Sequence, residues 1–171
     1  TGAVTVSAWV NPSAASTFGV IAGIDDTGGT GSDMYSLKTD GSDNPLWAVI
    51  GPGTDVNLTA SSSLATLGAS GDGWVHLVGV YDPVSNFAGL YVNGVLDAST
   101  GTVPTSIQLT ATPFQIGLNA ADGSNPLNAA VDDIQIYNEA LSAGAVDFLF
   151  DNPGEAYVIP EPSTLALLVA G

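Results

Sequence analysis

Acidic side chains in turn-forming segments are the residues whose types and spacing best suit chemistry in this sequence. Asp25, Asp26 and Asp33 flank a stretch rich in glycine and threonine, and a second polar segment holds Asp122 and Asn125. Calcium binds six to eight hard oxygens from carboxylates, amides, carbonyls and water. Both segments are therefore candidate Ca²⁺ sites. The alternative is that these residues only shape turns, which aspartate and asparagine commonly do.

Carboxylates suited to glycoside hydrolysis are scarce. The reaction needs two carboxylates that flank the scissile bond. The chain has only three glutamates, Glu139, Glu155 and Glu161, and none stands in a Glu-x-Asp-x-x-Glu pattern. Asp132 and Asp133 are adjacent in a predicted strand. Successive strand side chains point to opposite faces, so these two are not expected to act as a pair.

Nucleophilic catalysis also lacks its parts. His76 is the only histidine, and the chain has no cysteine. His76 alternates with Trp74, Val78 and Val80 along a predicted strand, which favours a packing role. A Ser-His-Asp arrangement on one of the many serines stays open, but no motif supports it. The glycine-rich residues 28–31 lack the lysine of a phosphate-binding loop. Since no motif in the sequence supports any of these catalytic arrangements, we predict that the protein is not an enzyme.

The charge of the chain excludes one class of partner. Seventeen acidic residues stand against a single basic one, Lys38, and the formal net charge is −16. Such a charge repels nucleic acid and anionic membrane surfaces, so nucleic acid is not expected as a partner. The acidic residues are spread thinly through a chain that is 45% hydrophobic, which indicates a folded domain with an acidic surface.

Alternation of apolar and polar residues predicts ten strands. They are expected at Val4–Val10, Phe18–Ile24, Met34–Thr39, Leu46–Ile50, Asp55–Ala60, Trp74–Asp82, Phe87–Val92, Val95–Ala98, Pro113–Leu118 and Ala129–Tyr137. Asn93-Gly94 marks a hairpin, because its turn needs positive φ at both central residues. One short helix is expected at Ala143–Phe150, capped by Ser142. The pattern predicts an all-β, two-sheet antiparallel jelly-roll sandwich with one short C-terminal helix.

Five motifs in order resemble the strands of LamG-like (concanavalin A-like) jelly-roll domains. They are TVSAWVNP from Thr5, GWVHLVGVYD from Gly73, LYVNGV from Leu90, FQIG from Phe114 and AVDDIQIYNEALS from Ala130. The resemblance implies two packed antiparallel sheets over residues 1–152, and it implies Asp133 as a calcium ligand near the closing strand. The resemblance implies leading strands before the position of Val4, and we expect this chain to lack them. We therefore expect an open edge at Val131–Tyr137, and open edges invite pairing with another chain.

Residues 153–171 are expected to form a separate linker and apolar tail. Pro160, Glu161 and Pro162 precede an apolar run whose assembly or sorting candidates are Leu165, Leu167 and Val169. This segment resembles the PEP-CTERM sorting signal. The resemblance implies export to the cell surface or exterior of a Gram-negative-type bacterium, with only transient membrane contact through the full signal. The run is shorter than the roughly 20 apolar residues of a spanning helix. The sequence begins inside a strand pattern, so a processed or truncated product is expected.

Two hypotheses for function follow. The first is an exported surface or extracellular-matrix structural protein, which assembles with its own copies, as a homo-oligomer or a filament, through the open edge and the tail. The second is a calcium-assisted module that binds glycans, with extracellular polysaccharide as the partner. Glycan binding requires exposed aromatic rings, whereas Trp9, Trp47 and Trp74 all lie in strand patterns that favour core packing. Trp47 is the least certain of the three, because it follows a polar turn.

Overall fold

The computed structural model describes residues 2–25, 34–108, 111–118 and 123–159. Within these ranges the chain forms two antiparallel five-stranded sheets. This confirms the predicted jelly-roll sandwich. The described residues contain no helix that is long and apolar enough to cross a membrane.

The strands follow the predicted order with small shifts at their ends. They are β1 Val4–Pro12, β2 Val20–Ile24, β3 Tyr35–Thr39, β4 Pro45–Gly51, β5 Thr54–Thr59, β6 Val75–Asp82, β7 Phe87–Val92, β8 Val95–Thr100, β9 Gln115–Ile116 and β10 Ala129–Tyr137. Sheet A has the order β10-β1-β6-β7-β8, and sheet B has the order β5-β4-β3-β2-β9. The ninth strand has only two of the six residues predicted for it.

The main core lies between the two sheets. Alternate residues of β1 and β6 point into it, as the period-2 pattern predicts. Trp47 is fully buried at its centre, and its Nε1 donates a hydrogen bond of 3.1 Å to the carbonyl oxygen of Val80. Gly79 packs flat beneath this ring, since a Cβ there would lie 2.2 Å from the indole. Glycine is therefore required at this position.

A second apolar cluster covers the outer face of sheet A. The helix α2, Ala143–Asp151, packs there through Ala145, Val146 and Leu149. Ser142 caps it by accepting a hydrogen bond of 3.3 Å from the Ala145 amide. This confirms the predicted helix, which ends one residue later than expected. Burial on both faces explains the nearly continuous apolar run of β6.

A second helix was not predicted from the sequence. The helix α1 spans Leu64–Ala69, and the side chain of Ser63 caps its N-terminus. It lies between β5 and β6. Its six residues are too few for a helical period to stand out, and Gly68 lowers its helix propensity further.

The strand β10 lies at the end of sheet A and pairs only with β1 among the described strands. The side chain of Ile136 on this strand is 49% exposed. The residues after α2 return to the same strand. Gly154 and Tyr157 donate backbone hydrogen bonds to the side chains of Asp133 and Tyr137, at 2.9 and 3.0 Å. The described residues 153–159 thus pack against the jelly roll.

Candidate functional site

A β-bulge in β10 brings two aspartates to one side of the sandwich. Ser7 of β1 lies opposite Gln135, whereas Trp9, two residues further on, lies opposite Asp132. The extra residue places Asp133 in a left-handed conformation with φ of 47°, which aspartate tolerates better than most residues. The bulge interrupts the alternation of side chains that the sequence predicts for this strand, so Asp132 and Asp133 line one cavity instead of pointing to opposite faces.

Both aspartates line one cavity of about 450 Å³ on the outer side of sheet A. Its walls are aromatic and acidic, and the turn after α2 closes one side. The residues that line it are Trp9, Asp72, Trp74, Asp132, Asp133, Pro153 and Gly154. Its volume lies in the range of small-molecule sites, and aromatic walls with a few polar groups are typical of such sites.

The short segment before β6 positions Trp74. The Trp74 amide donates a hydrogen bond of 3.0 Å to Asp72 Oδ1, which forms an aspartate turn. Gly73 between them has a φ of 96°, and a Cβ at this position would lie 2.9 Å from the Asn11 side-chain nitrogen. The turn therefore needs glycine. It fixes a partly exposed indole ring and an exposed carboxylate on the same cavity.

The second tryptophan, Trp9, is held by a stack of rings. Its ring centroid lies 5.0 Å from that of His76 and 5.8 Å from that of Phe150, and the latter pair is nearly parallel at 16°. Phe150 belongs to α2, so the helix supports the cavity wall. Trp9 Nε1 is inaccessible to solvent and has no hydrogen-bond partner among the described residues. A buried indole N–H normally has one.

The three carboxylates of the cavity differ in their available oxygens. Both oxygens of Asp133 accept hydrogen bonds, Oδ1 from Gln135 Nε2 at 2.8 Å and Oδ2 from the Gly154 amide at 2.9 Å. Asp132 Oδ1 accepts one from the Asp133 amide at 2.8 Å. Among the described residues, Oδ2 of Asp72 and Oδ2 of Asp132 accept none. Asp133 therefore supports the wall, while Asp72 and Asp132 each offer an oxygen to a ligand.

His76 packs against Trp9, which lines this cavity, and is buried as its alternation along the strand predicts. Its Nε2 lies 2.9 Å from Ser7 Oγ, and both residues are 1% exposed. Burial lowers the pKa of His76 to about 4, and the nearby Asp133 charge opposes this shift in part. His76 Nδ1 has no partner within the described residues, so Asp133 does not complete a Ser-His-Asp triad.

Only one of the three tryptophans packs in the core, although core packing was expected for all of them. Trp47, the least certain from sequence, is completely buried. Trp9 and Trp74 are partly exposed and line the cavity. Trp74 precedes the first residue of β6, so its place in a strand pattern was misleading. The sequence signal for this site is the Asp72-Gly73 turn, which places the indole of Trp74 just before β6.

Two of the predicted calcium ligands, Asp25 and Asp133, lie on different sheets. Asp25 is buried and forms an ion pair of 2.9 Å with Lys38, on sheet B. Asp133 lies on sheet A. Asp26, Asp33 and Asp122 fall outside the described residues, as does the tail from Pro160 to Gly171. In the described ranges, no three acidic or histidine side chains come together as a metal site would require.

Sequence comparison assigns the family. The chain belongs to the Laminin_G_3 family, described as the concanavalin A-like lectin/glucanases superfamily, which matches residues 1–147. The match spans both sheets and the first half of α2. A comparison with curated proteins finds no match.

Solved structures share the fold at low sequence identity. A "putative carbohydrate binding protein" from Bacteroides ovatus has a TM-score of 0.67 and 17% identity, over 85% of this chain and 40% of its own. Botulinum neurotoxin type C, whose cell entry is described as dependent on two ganglioside molecules, has a TM-score of 0.63 and 16% identity, over 88% and 35%. A heptameric SAP-like pentraxin from Limulus polyphemus has a TM-score of 0.61 and 15% identity, over 87% and 71%. The chain thus spans less than half the length of the first two.

Proposed function

We propose that this protein is a non-catalytic module that binds glycans in the cavity between Trp9 and Trp74. The observation that carries this proposal is the pairing of two partly exposed indoles with carboxylates that have an oxygen to spare. An aromatic ring offers an apolar surface to the C–H face of a sugar, and carboxylates accept hydrogen bonds from its hydroxyls. The cavity offers both.

The structural relatives support this proposal through their described ligands. The Bacteroides ovatus protein is described as carbohydrate binding, and the neurotoxin as interacting with gangliosides. These likenesses concern the fold alone. Glycan binding by this chain is therefore inferred from its own cavity, because function resides in a site and not in a fold.

The absence of catalysis in our proposal follows from how the carboxylates are used. A retaining or inverting glycosidase needs two carboxyl groups free to exchange protons or attack the sugar. Both oxygens of Asp133 are engaged by Gln135 and Gly154. Asp133 is thus committed to holding the wall.

We further propose that the protein is exported and that calcium assists binding. We infer export to the cell surface or exterior from the PEP-CTERM-like run of Pro160, Glu161 and Pro162. Calcium assistance remains a prediction for Asp133 and for Asp25, Asp26 and Asp33. Thermal unfolding in the presence of calcium and of chelator tests it. The calcium hypothesis expects a higher melting temperature with calcium, and equal melting temperatures would remove Ca²⁺ as a structural ligand.

A second candidate function is self-assembly into a homo-oligomer or filament. The observation that favours it is the edge strand β10, where exposed Ile136 borders an apolar cleft of about 400 Å³. A neighbouring chain could add a strand there, with Leu165, Leu167 and Val169 of its tail as the donors. If the tail joins the copies, deletion of Pro160–Gly171 will lower the number of chains per particle, which light scattering measures. An unchanged number of chains per particle would exclude donation of a strand by the tail.

A panel of immobilised oligosaccharides tests glycan binding. We expect the protein to bind at least one member, and Trp74→Ala to weaken that binding by at least about tenfold, since loss of one stacked ring costs on the order of 1.4 kcal/mol. Phe18→Ala is the matched control, because Phe18 is an aromatic residue that is 54% exposed away from the cavity. The proposal would be contradicted if the wild-type protein bound no member of the panel. It would also be contradicted if Trp74→Ala bound as tightly as Phe18→Ala.

A further inference from the structure

We propose that the cavity selects sugars that carry a protonated amine, such as glucosamine units, over neutral and acidic sugars. This inference rests on the proposed glycan-binding function and names its ligand class. It follows from three features of the described residues: the lack of a basic side chain at the cavity, the two carboxylate oxygens without a partner, and the two partly exposed indole rings.

The cavity offers no positive charge to an acidic sugar. Lys38 is the only basic residue of the chain, and its Nζ pairs with Asp25 on the other sheet. His76, the nearest titratable nitrogen, is neutral near pH 7 because burial depresses its pKa. A uronic or sialic acid would therefore bring a carboxylate against Asp72, Asp132 and Asp133 without a counter-charge. The formal charge of −16 adds repulsion at longer range.

A cationic sugar finds complementary groups in the same space. Asp72 and Asp132 each keep one oxygen that no described residue occupies. A hydrogen bond between an ammonium group and a carboxylate is roughly twice as strong as one between neutral groups. An aromatic ring attracts a cation placed over its face through the ring quadrupole, and the partly exposed rings of Trp9 and Trp74 line the cavity. An amine thus gains from both kinds of wall, whereas a hydroxyl gains mainly from the carboxylates.

A pair of short ligands separates this inference from general attraction to the acidic surface. The β-1,4-linked glucosamine disaccharide and its N-acetylated counterpart differ in the charge of the nitrogen. Each is titrated calorimetrically at about pH 5.5, where the free amine is protonated. We expect the free amine to bind on the order of tenfold more tightly, and this preference to shrink at high salt.

Isosteric variants locate the preference. Asp132→Asn and Asp72→Asn keep an acceptor oxygen for the turn hydrogen bonds but remove the charge. Each should reduce the preference for the amine to a few-fold, while binding of the N-acetylated disaccharide changes little. Asp55→Asn is the matched control, because Asp55 is an exposed aspartate on β5, outside the cavity. It should retain the full preference.

The outcomes distinguish the two proposals. Equal affinity for both disaccharides would overturn the selection of amines and leave glycan binding intact. An amine preference unaffected by Asp132→Asn and Asp72→Asn would also overturn it, because the attraction would then come from the surface as a whole. Failure of both disaccharides to bind would overturn this inference, while binding of another sugar in the panel would preserve the proposed function.

Discussion

The carboxylate of Asp133 accepts a hydrogen bond of 2.9 Å from the backbone amide of Gly154. This bond joins the bulge of β10 to the turn after α2, and so closes one side of the cavity. Gln135 reinforces it, since its Nε2 donates both to Asp133 and to the Glu155 carbonyl oxygen. The shape of the proposed site therefore depends on a side chain that does not need to touch the ligand.

Replacement of Asp133 tests this support. Asp133→Gly removes the carboxylate but keeps a residue that accepts the positive φ of the bulge. We expect faster hydrogen exchange at the Gly154 amide, a loss of about 1 kcal/mol in the free energy of unfolding and weaker glycan binding. Asp132→Asn is the control and should leave that exchange rate unchanged. Normal exchange at Gly154 in Asp133→Gly would contradict the role of this bond.

The ion pair of Lys38 and Asp25 is expected to matter for stability. The two side chains are 15% and 5% exposed, and their atoms lie 2.9 Å apart. Lys38→Met would remove the counter-charge of the buried Asp25 carboxylate, and breaking a buried ion pair from one side typically costs about 3–5 kcal/mol. Denaturant unfolding should show this loss. The double variant Lys38→Met with Asp25→Asn should recover much of it, and a single variant as stable as the wild type would contradict the prediction.

Acidification should destabilise the protein through His76. Its pKa falls from 6.5 to about 4 on folding, chiefly through burial. Between these values the unfolded chain binds the proton and the folded chain does not, so stability declines as the pH falls from 6.5 to about 4. The shift corresponds to about 3 kcal/mol at most. Below pH 4 this contribution is already lost.

The comparison that checks this effect uses His76→Gln. Denaturant unfolding of both proteins between pH 7 and 4 should show a shallower decline in the variant, because glutamine cannot take up a proton. Both proteins carry the same acidic residues, so the difference between the two curves reports the replacement of His76. Parallel curves would show that the histidine does not titrate as described.

The regular parts of the fold could be predicted from sequence because one period governs them. The alternation in β1 and β6 places their side chains correctly, and the Ser142 cap identifies α2. Turn signals such as Asn93-Gly94 mark where strands end. These signals are local, so a single sequence is enough to read them.

The site could not be predicted because it depends on exceptions to that period. One extra residue at Asp133 reverses the faces of the strand locally. Adjacent strand residues are expected on opposite faces of the sheet, but at the bulge Asp132 and Asp133 line the same cavity. Trp9 and Trp47 have similar apolar neighbours in sequence, yet one lines a cavity and the other fills the core. Which face of a strand receives a helix is decided by tertiary packing, and local sequence does not contain it.

Tryptophan fluorine resonances offer the most direct test of the proposed site. The chain has three tryptophans, of which Trp9 and Trp74 line the cavity and Trp47 is fully buried between the sheets. Protein labelled with 5-fluorotryptophan is titrated with the glucosamine disaccharide and the other oligosaccharides of the panel. Glycan binding in the cavity predicts saturable shifts of the Trp9 and Trp74 resonances, with Trp47 unchanged. Saturable binding that leaves Trp9 and Trp74 unshifted, or no binding of any sugar, would contradict it.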